Sequence, residues 1–268
     1  MAKSLLVTEP EVKKNCRITV YPNGEIGEIL ACSRDIFVPG GWEPLEGEKT
    51  HFGGTIGDGG KRARRRAQKR IETLIRCNPA MDVFWTLTIK PNATTETDKL
   101  IDRTDYAAVC KKLQQWLADR VRRRGLMYVA VFEYHEKKDS NGKRALHIHG
   151  VANHSAMRLS ESGKKYKDKN GHWHKIYNVE DWKLGYTTAM YMYGRREQAI
   201  KYIGKYVRKS ERPVGCRWYM HSHNLLEPAY EYMNINFQNA PGEAWQCPAA
   251  HCAFKSIPTK FFDRITQE

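Results

Sequence analysis

The chain has no apolar run near the roughly twenty residues a bilayer-spanning helix needs. Its opening, MAKSLLVTEPEVKKN, also lacks the apolar block of an export signal. A disulfide framework is equally hard to find. The seven cysteines are odd in number and widely scattered, which fits reduced thiols in a cytoplasm. No internal repeat is evident. Acid is in short supply: 30 Asp and Glu face 45 Lys and Arg, for a formal net charge of +15. Such an excess calls for a polyanionic partner, and without a membrane segment nucleic acid is favoured over a lipid surface. Disorder is excluded by the 41% hydrophobic and 11% aromatic content, enough for a packed core.

The glycines of FGGTIGDGG (52–60) lack the strand-to-helix setting and the Lys-Ser/Thr ending of a phosphate loop, so they read as a flexible linker. YPNGE, earlier in the chain, reads as a hairpin turn. After the glycines comes KRARRRAQKR (61–70), a helix-forming run with seven positive charges. Arg62, Arg64, Arg65, Arg66, Lys69 and Arg70 are its candidate phosphate contacts. Near the other end, CPAAHC brings Cys247, His251 and Cys252 together, with Cys216, His221 and His223 upstream. That spacing matches no standard zinc finger or ribbon, which favours ordinary buried thiols.

Between these ends the pattern is orderly. DVFWTLTIKP (82–91) is a buried strand that stops at its proline. In residues 102–125, Tyr106, Val109, Cys110, Leu113, Leu117 and Val121 recur at helical spacing, and Gly125 ends the helix. LMYVAVFEYHEK and RALHIHGVAN are strands joined by a turn containing Asn141-Gly142. A polar, lysine-rich insertion (160–175) precedes a strand in GYTTAMYMYG and an amphipathic helix in RREQAIKYIGKYVRKS. The order strand, helix, strand, strand, strand, helix predicts an α+β fold: a central antiparallel sheet with helices packed on one face, close to split βαβ. Residues 1–77 then form a basic N-terminal extension, 78–215 the central domain and 216–268 a C-terminal extension.

His147 and His149 flank Ile148, so on a strand both imidazoles project to one face, as a shared metal ion would require. A cation of the hard or borderline kind wants a carboxylate beside them. Turn length decides which one is offered. A two-residue loop places Glu136 opposite His147, whereas a three-residue loop places Glu133 opposite His149 and His135 opposite His147. Both registers are open to the sequence. On the last helix, Ala199, Tyr202, Ile203, Tyr206 and Val207 share a stripe, which by itself describes a helix packed on a sheet. Lys205 and Lys209, however, each follow a tyrosine by three residues. Phenols with cationic neighbours beside a metal-binding sheet suit phosphoryl transfer.

FWTLTIKP, LHIHGV and YIGKYVRK, in that order over residues 80–210, resemble the three motifs of the HUH endonucleases of the replication-initiator type. The tandem Tyr-x-x-Lys-Tyr-x-x-Lys is similar to the two-tyrosine initiators of single-stranded DNA phages and some plasmids. The resemblance implies an RRM-like HUH endonuclease domain over 78–215. It further implies Mg²⁺ or Mn²⁺ on His147, His149 and Glu133, with Glu133 preferred to Glu136. Tyr202 and Tyr206 would be nucleophiles, assisted by Lys205 and Lys209. The implied reaction nicks single-stranded or hairpin origin DNA, leaving a 5′-phosphotyrosine and a free 3′-hydroxyl for rolling-circle replication. Host helicase and polymerase would be the partners, in a bacterial cytoplasm. A two-tyrosine transposase or a conjugative relaxase would share the chemistry. A non-catalytic nucleic-acid-binding module is the rival from another class.

Overall fold

The computed structural model describes residues 12–38, 41–42, 56–94, 99–209, 216–247 and 251–266, without the side chains of 41–42, 56–59, Arg62 and Lys209. The first elements are β1 (Cys16–Val20), β2 (Ile26–Cys32), β3 (Phe37–Val38), β4 (Gly41–Trp42) and α1 (Ile56–Cys77). Next come β5 (Met81–Thr88), α2 (Tyr106–Arg124), β6 (Tyr128–Lys138) and β7 (Arg144–Asn153). They are followed by β8 (Leu159–Lys167), β9 (Trp173–Val179), β10 (Thr187–Tyr191) and α3 (Arg196–Lys209). The chain closes with β11 (Tyr219–His221), β12 (Ala229–Met233), β13 (Ala244–Cys247), β14 (Cys252–Ile257) and α4 (Phe262–Thr266). No helix among the described residues is long and apolar enough to cross a membrane.

The chain divides into two compact units, 56–226 and a second one assembled from 1–55 and 227–268. The larger unit is built on a seven-stranded antiparallel sheet, β11-β6-β7-β5-β10-β9-β8. Strands β5 and β6 run parallel, joined through α2, with β7 inserted antiparallel between them. That is the split βαβ arrangement, and the α+β class is the one the element order predicts. Helix α2 lies where its periodicity requires: Val109, Leu113 and Leu117 pack with Trp85, Ala130 and Ile148 on one sheet face. Asp105 caps its start by accepting from the amides of Ala107 and Ala108, and Gly125 ends it at φ 66°. The opposite face receives α1 and α3: Ile71, Leu74, Ile75, Ile203 and Val207 pack with Phe84, Val129, Val131 and Val151.

Three features depart from the sequence reading. The glycine-rich stretch is not linker throughout, because α1 is already helical at Ile56 and carries the basic run into the larger unit. Its apolar positions Ile71, Leu74 and Ile75 bury against the sheet, which holds the charged turns in place. The lysine-rich insertion forms the β8–β9 hairpin at one sheet edge. Its alternation of polar and aromatic residues is too solvent-facing to reveal a strand by hydrophobicity. Finally, the two terminal segments form one structure: a sheet ordered β12-β1-β2-β14-β13 around Cys16, Ile18, Ile29, Ala31 and Ile257. The YPNGE turn joins β1 to β2, with Gly24 at φ 82°.

None of the seven cysteines forms a disulfide. Cys247 faces Cys252 across β13–β14 in the smaller unit, while Cys216, His221 and His223 belong to the larger one. Burial, then a hydrogen bond with Cys32, pushes the Cys252 thiol up to about 12, so it is neutral at pH 7.

Gly150, next to His149, is fixed by the sheet's other face. A Cβ there would stand 2.2 Å from the indole of Trp85, which is fully buried beneath α2. Gly150→Ala is expected to destabilise the protein by about 1–3 kcal/mol through overpacking. Trp85→Leu should make the same glycine substitution less costly, giving a non-additive cycle in urea denaturation. Additive effects would mean that the indole is not what fixes the glycine.

Candidate active site

Strand β7 presents His147 and His149 to the face that α3 covers. Their neighbours are set by register: Thr86 of β5 pairs with His149, and Glu133 of β6 pairs with His147. At the turn the three-residue register is present, the Asp139 amide donating to the Lys143 carbonyl around 140–142, but it does not extend to the histidines. Lys138 pairs with Arg144 at the turn end, then the register shifts between Tyr134 and Lys138. This bulge keeps Glu133 on the histidine face while moving it one pair along the ladder. Its carboxylate reaches diagonally, with Oε2 3.3 Å from Nε2 of His149. Glu136, the alternative, is exposed beyond the shift. His135 stays with the group, its ring 4.7 Å from that of His147.

His149 is the most confined of these groups, only 5% exposed. Its Nδ1 lies 3.0 Å from the hydroxyl of Thr86. A carboxylate can only accept, so the neutral ring donates Nε2–H to Glu133 and takes the Thr86 proton at Nδ1. Helix α3 closes over it: the ring of Tyr206 lies flat on that of His149, centroids 3.9 Å apart and planes within 2°. Tyr202 meets Tyr206 edge-on at 4.7 Å and Phe84 at 5.4 Å. The two phenols differ sharply, Tyr206 being 7% exposed and Tyr202 46%. Burial, then a hydrogen bond and charge interaction with Tyr202, then the Glu133 carboxylate, raise the Tyr206 phenol well above its ordinary value.

Helix α3 is held by α1. Arg76 bonds Glu197 at 2.5 Å, Gln68 donates to the Gly204 carbonyl at 2.7 Å, and Arg64 to the Arg208 carbonyl at 2.9 Å. Arg64 also lies over Trp218, so its charge is engaged in this tie. Arg65, Arg66 and Lys69 are exposed, and Arg70 is half-buried. The Arg62 side chain lies outside the described residues, as does that of Lys209. Lys205 is exposed on α3.

Among the described residues no three His, Cys, Asp or Glu side chains stand in coordinating geometry. The direct contact of Glu133 with His149 occupies the direction a cation would use. The donor set itself suits a divalent ion. Burial first, then the neighbouring His135 and His149, lower His147 to about 4, leaving its lone pair available at neutral pH. The Thr86 hydroxyl can reverse to accept from Nδ1 of His149 when Nε2 is required elsewhere.

A cavity of about 390 Å³ opens beside His147 and His135, with Lys90, Arg103, Lys137 and Lys138 in its walls. Sequence reasoning passed over these four, together with Thr86. Lys90 and Arg103 lie between β5 and α2, Lys137 and Lys138 end β6, and Thr86 sits inside β5, without a run or spacing to mark them.

Residues 82–211 match a family model whose description is replication-associated protein, of the ORF2 type. This span begins in β5, ends just past α3 and contains His147, His149, Glu133, Tyr202 and Tyr206. In this region the protein is similar to replication-associated proteins, and the match points to DNA replication. No curated protein and no solved structure matches the chain significantly.

The His147 environment predicts a pH effect on the cation-free protein. Between about 4 and the ordinary value of 6.5, the unfolded chain binds a proton here that the folded chain does not. The contribution to stability is therefore full above pH 6.5 and is lost as the pH falls towards 4. In EDTA, the urea midpoint should fall less between pH 7 and pH 5 for His147→Gln than for the unaltered protein. An equal fall would contradict the assignment.

Proposed function

We propose that the protein nicks and rejoins single-stranded DNA by transesterification to tyrosine, initiating rolling-circle replication of a phage or plasmid. The observation that carries this reading is the placement of α3, with Tyr206 stacked on His149 and Tyr202 beside it. Two candidate metal ligands and two candidate nucleophiles thereby share one sheet face. In the reaction a tyrosine oxygen attacks the scissile phosphorus in line. The new O–P bond forms as the P–O3′ bond breaks, and the departing 3′-oxygen takes up a proton. The 5′-phosphate stays on the tyrosine. One phosphodiester replaces another, so rejoining needs no nucleotide hydrolysis.

His147, His149 and Glu133 would hold Mg²⁺ or Mn²⁺, which when bound supplies Lewis-acid polarisation of a phosphate oxygen. His149, locked between Thr86 and the Tyr206 ring, sets the distance between the ion site and the helix. Lys205, and Lys209 on the family pattern, would favour the phenolate over the phenol by adding positive charge near Tyr202 and Tyr206. Lys90, Arg103, Lys137 and Lys138 would seat the DNA backbone beside His147. Exposed Arg65, Arg66 and Lys69, with Arg70, add sequence-independent attraction. Substrate would be single-stranded or hairpin origin DNA in a bacterial cytoplasm, with host helicase and polymerase acting on the nicked product. The match to replication-associated proteins favours this over a transposase or relaxase of like chemistry.

With oligonucleotide pools and Mn²⁺, denaturing gels are expected to show a covalent, protease-sensitive adduct that EDTA abolishes. His147→Ala and His149→Ala should each lower adduct formation by about 100-fold or more, since even outer-shell losses at metal sites typically cost 10–100-fold. Tyr202→Phe and Tyr206→Phe should each retain partial nicking or joining, because the paired phenols, with ring centroids 4.7 Å apart, can both be served by one site. The double Phe variant should bind DNA yet form no adduct. Full activity in the double variant, or in EDTA, would end this reading.

A further inference from the structure

A second cavity, of about 470 Å³, is lined by residues of β5, β10 and α3, Tyr202 among them. Its walls include Phe84, Tyr166, Met190 and Tyr202, with Thr188 and Gln198 at its rim. The volume falls in the range of about 300–1,000 Å³ typical of small-ligand sites. Thr86 lines it too, so it adjoins the residue that holds His149. We propose that this cavity is a reading pocket for one unpaired nucleobase next to the scissile phosphate. The proposal rests on the reading above that single-stranded DNA is the substrate.

The chemistry of the walls favours a base over other occupants. Four aromatic rings, with Tyr191 the fourth, and the thioethers of Met190 and Met192 offer flat, polarisable surface, the kind on which bases stack irrespective of sequence. Sequence preference needs hydrogen-bonding groups not already used within the protein. No described residue hydrogen-bonds the side chains of Thr188 or Gln198. An amide offers both a donor and an acceptor, the pairing a base edge presents.

One wall is also held rigidly in advance. Arg195, at the entrance to α3, donates to the hydroxyl of Tyr166 at 2.5 Å and approaches Nδ1 of His174 at 3.1 Å. His174 in turn donates Nε2–H to Asp168 at 2.8 Å. The bond from His174, then the backbone amide of His172, hold the Asp168 carboxyl at about 2, so it remains an acceptor throughout the working pH range. The β8–β9 hairpin thereby fixes the Tyr166 ring beside the helix that carries Tyr202. A wall ordered before binding spares the cost of ordering it on contact.

The test is a binding selection that requires no cleavage. The full chain in EDTA captures oligonucleotides from a randomised 12-nucleotide single-stranded pool, and the bound pools are sequenced. For the unaltered protein, at least one fixed base position is expected. Thr188→Val and Gln198→Leu should relax or change the preference at that one position and leave other fixed positions alone. An abasic site there should lower affinity by about tenfold, in line with the loss of one stacked base. Met190→Trp, which fills the cavity, should bind the intact consensus about tenfold less well, yet bind the abasic oligonucleotide as the unaltered protein does. That equality shows the variant is folded. Identical selected sequences from all variants, no fixed position at all, or no abasic effect at any position would overturn the pocket. Adding Mn²⁺ to the selected oligonucleotide separates the two ideas. Base reading without an adduct would sink the nicking reading alone, and an adduct indifferent to the pocket variants would sink the pocket alone.

Discussion

The flat contact between Tyr206 and His149 is the interaction on which the rest of the site depends. It is the point where a helix surface and a sheet surface become one structure, and each partner is fixed from behind. His149 is held by Thr86 and Glu133. Tyr206 is held by the packing of Ile203 and Val207 and by the ties from α1. Without the bulge in β6, Glu133 would face a different residue. Without Gly150 and Trp85 accommodating each other below, β7 could not hold its histidines level. The geometry is therefore a property of β5, β6, β7, α1 and α3 together rather than of the His-x-His motif.

Electrostatics in the larger unit sets two buried, uncharged groups beside the Glu133 carboxylate and a basic margin around them. At the centre, burial keeps the His147 imidazole and the Tyr206 phenol uncharged at neutral pH. At the margin, Lys90, Arg103, Lys137 and Lys138 surround the cavity beside His147. A polyanion is drawn to such a margin. Under the proposed chemistry, the phenol acquires nucleophilic character only when positive charge is brought beside it. The basic helix is more divided than its sequence suggests. Arg64 and Arg76 act within the fold, while Arg65, Arg66 and Lys69 face solvent.

Much of this was legible in the sequence, for identifiable reasons. Helix α2 announced itself through an uninterrupted periodicity and a terminal glycine. The common face of His147 and His149 follows from strand geometry alone. The tyrosine stripe was equally plain, although only its surroundings distinguish Tyr206, under α3, from Tyr202, half in solvent. The register of β6 on β7 was not legible, because a bulge between Tyr134 and Lys138 leaves no mark in a pattern of alternating residues. Nor was the pairing of β1 with β12, which joins residues more than 200 positions apart, as in Cys16 with Met233. The β8–β9 hairpin was hidden by its lysines, yet it supplies Tyr166 and the Asp168–His174–Arg195 chain.

The most direct test of the central claim is to locate the covalent bond. Protein trapped on single-stranded DNA in Mn²⁺ would be digested with nuclease and trypsin, and the peptides read by tandem mass spectrometry. Nucleotide mass is expected on the phenolic oxygen of Tyr202 or Tyr206, removed by phosphodiesterase and absent when EDTA is present. Nucleotide on any other side chain, or cleaved DNA with no modified peptide, would contradict it.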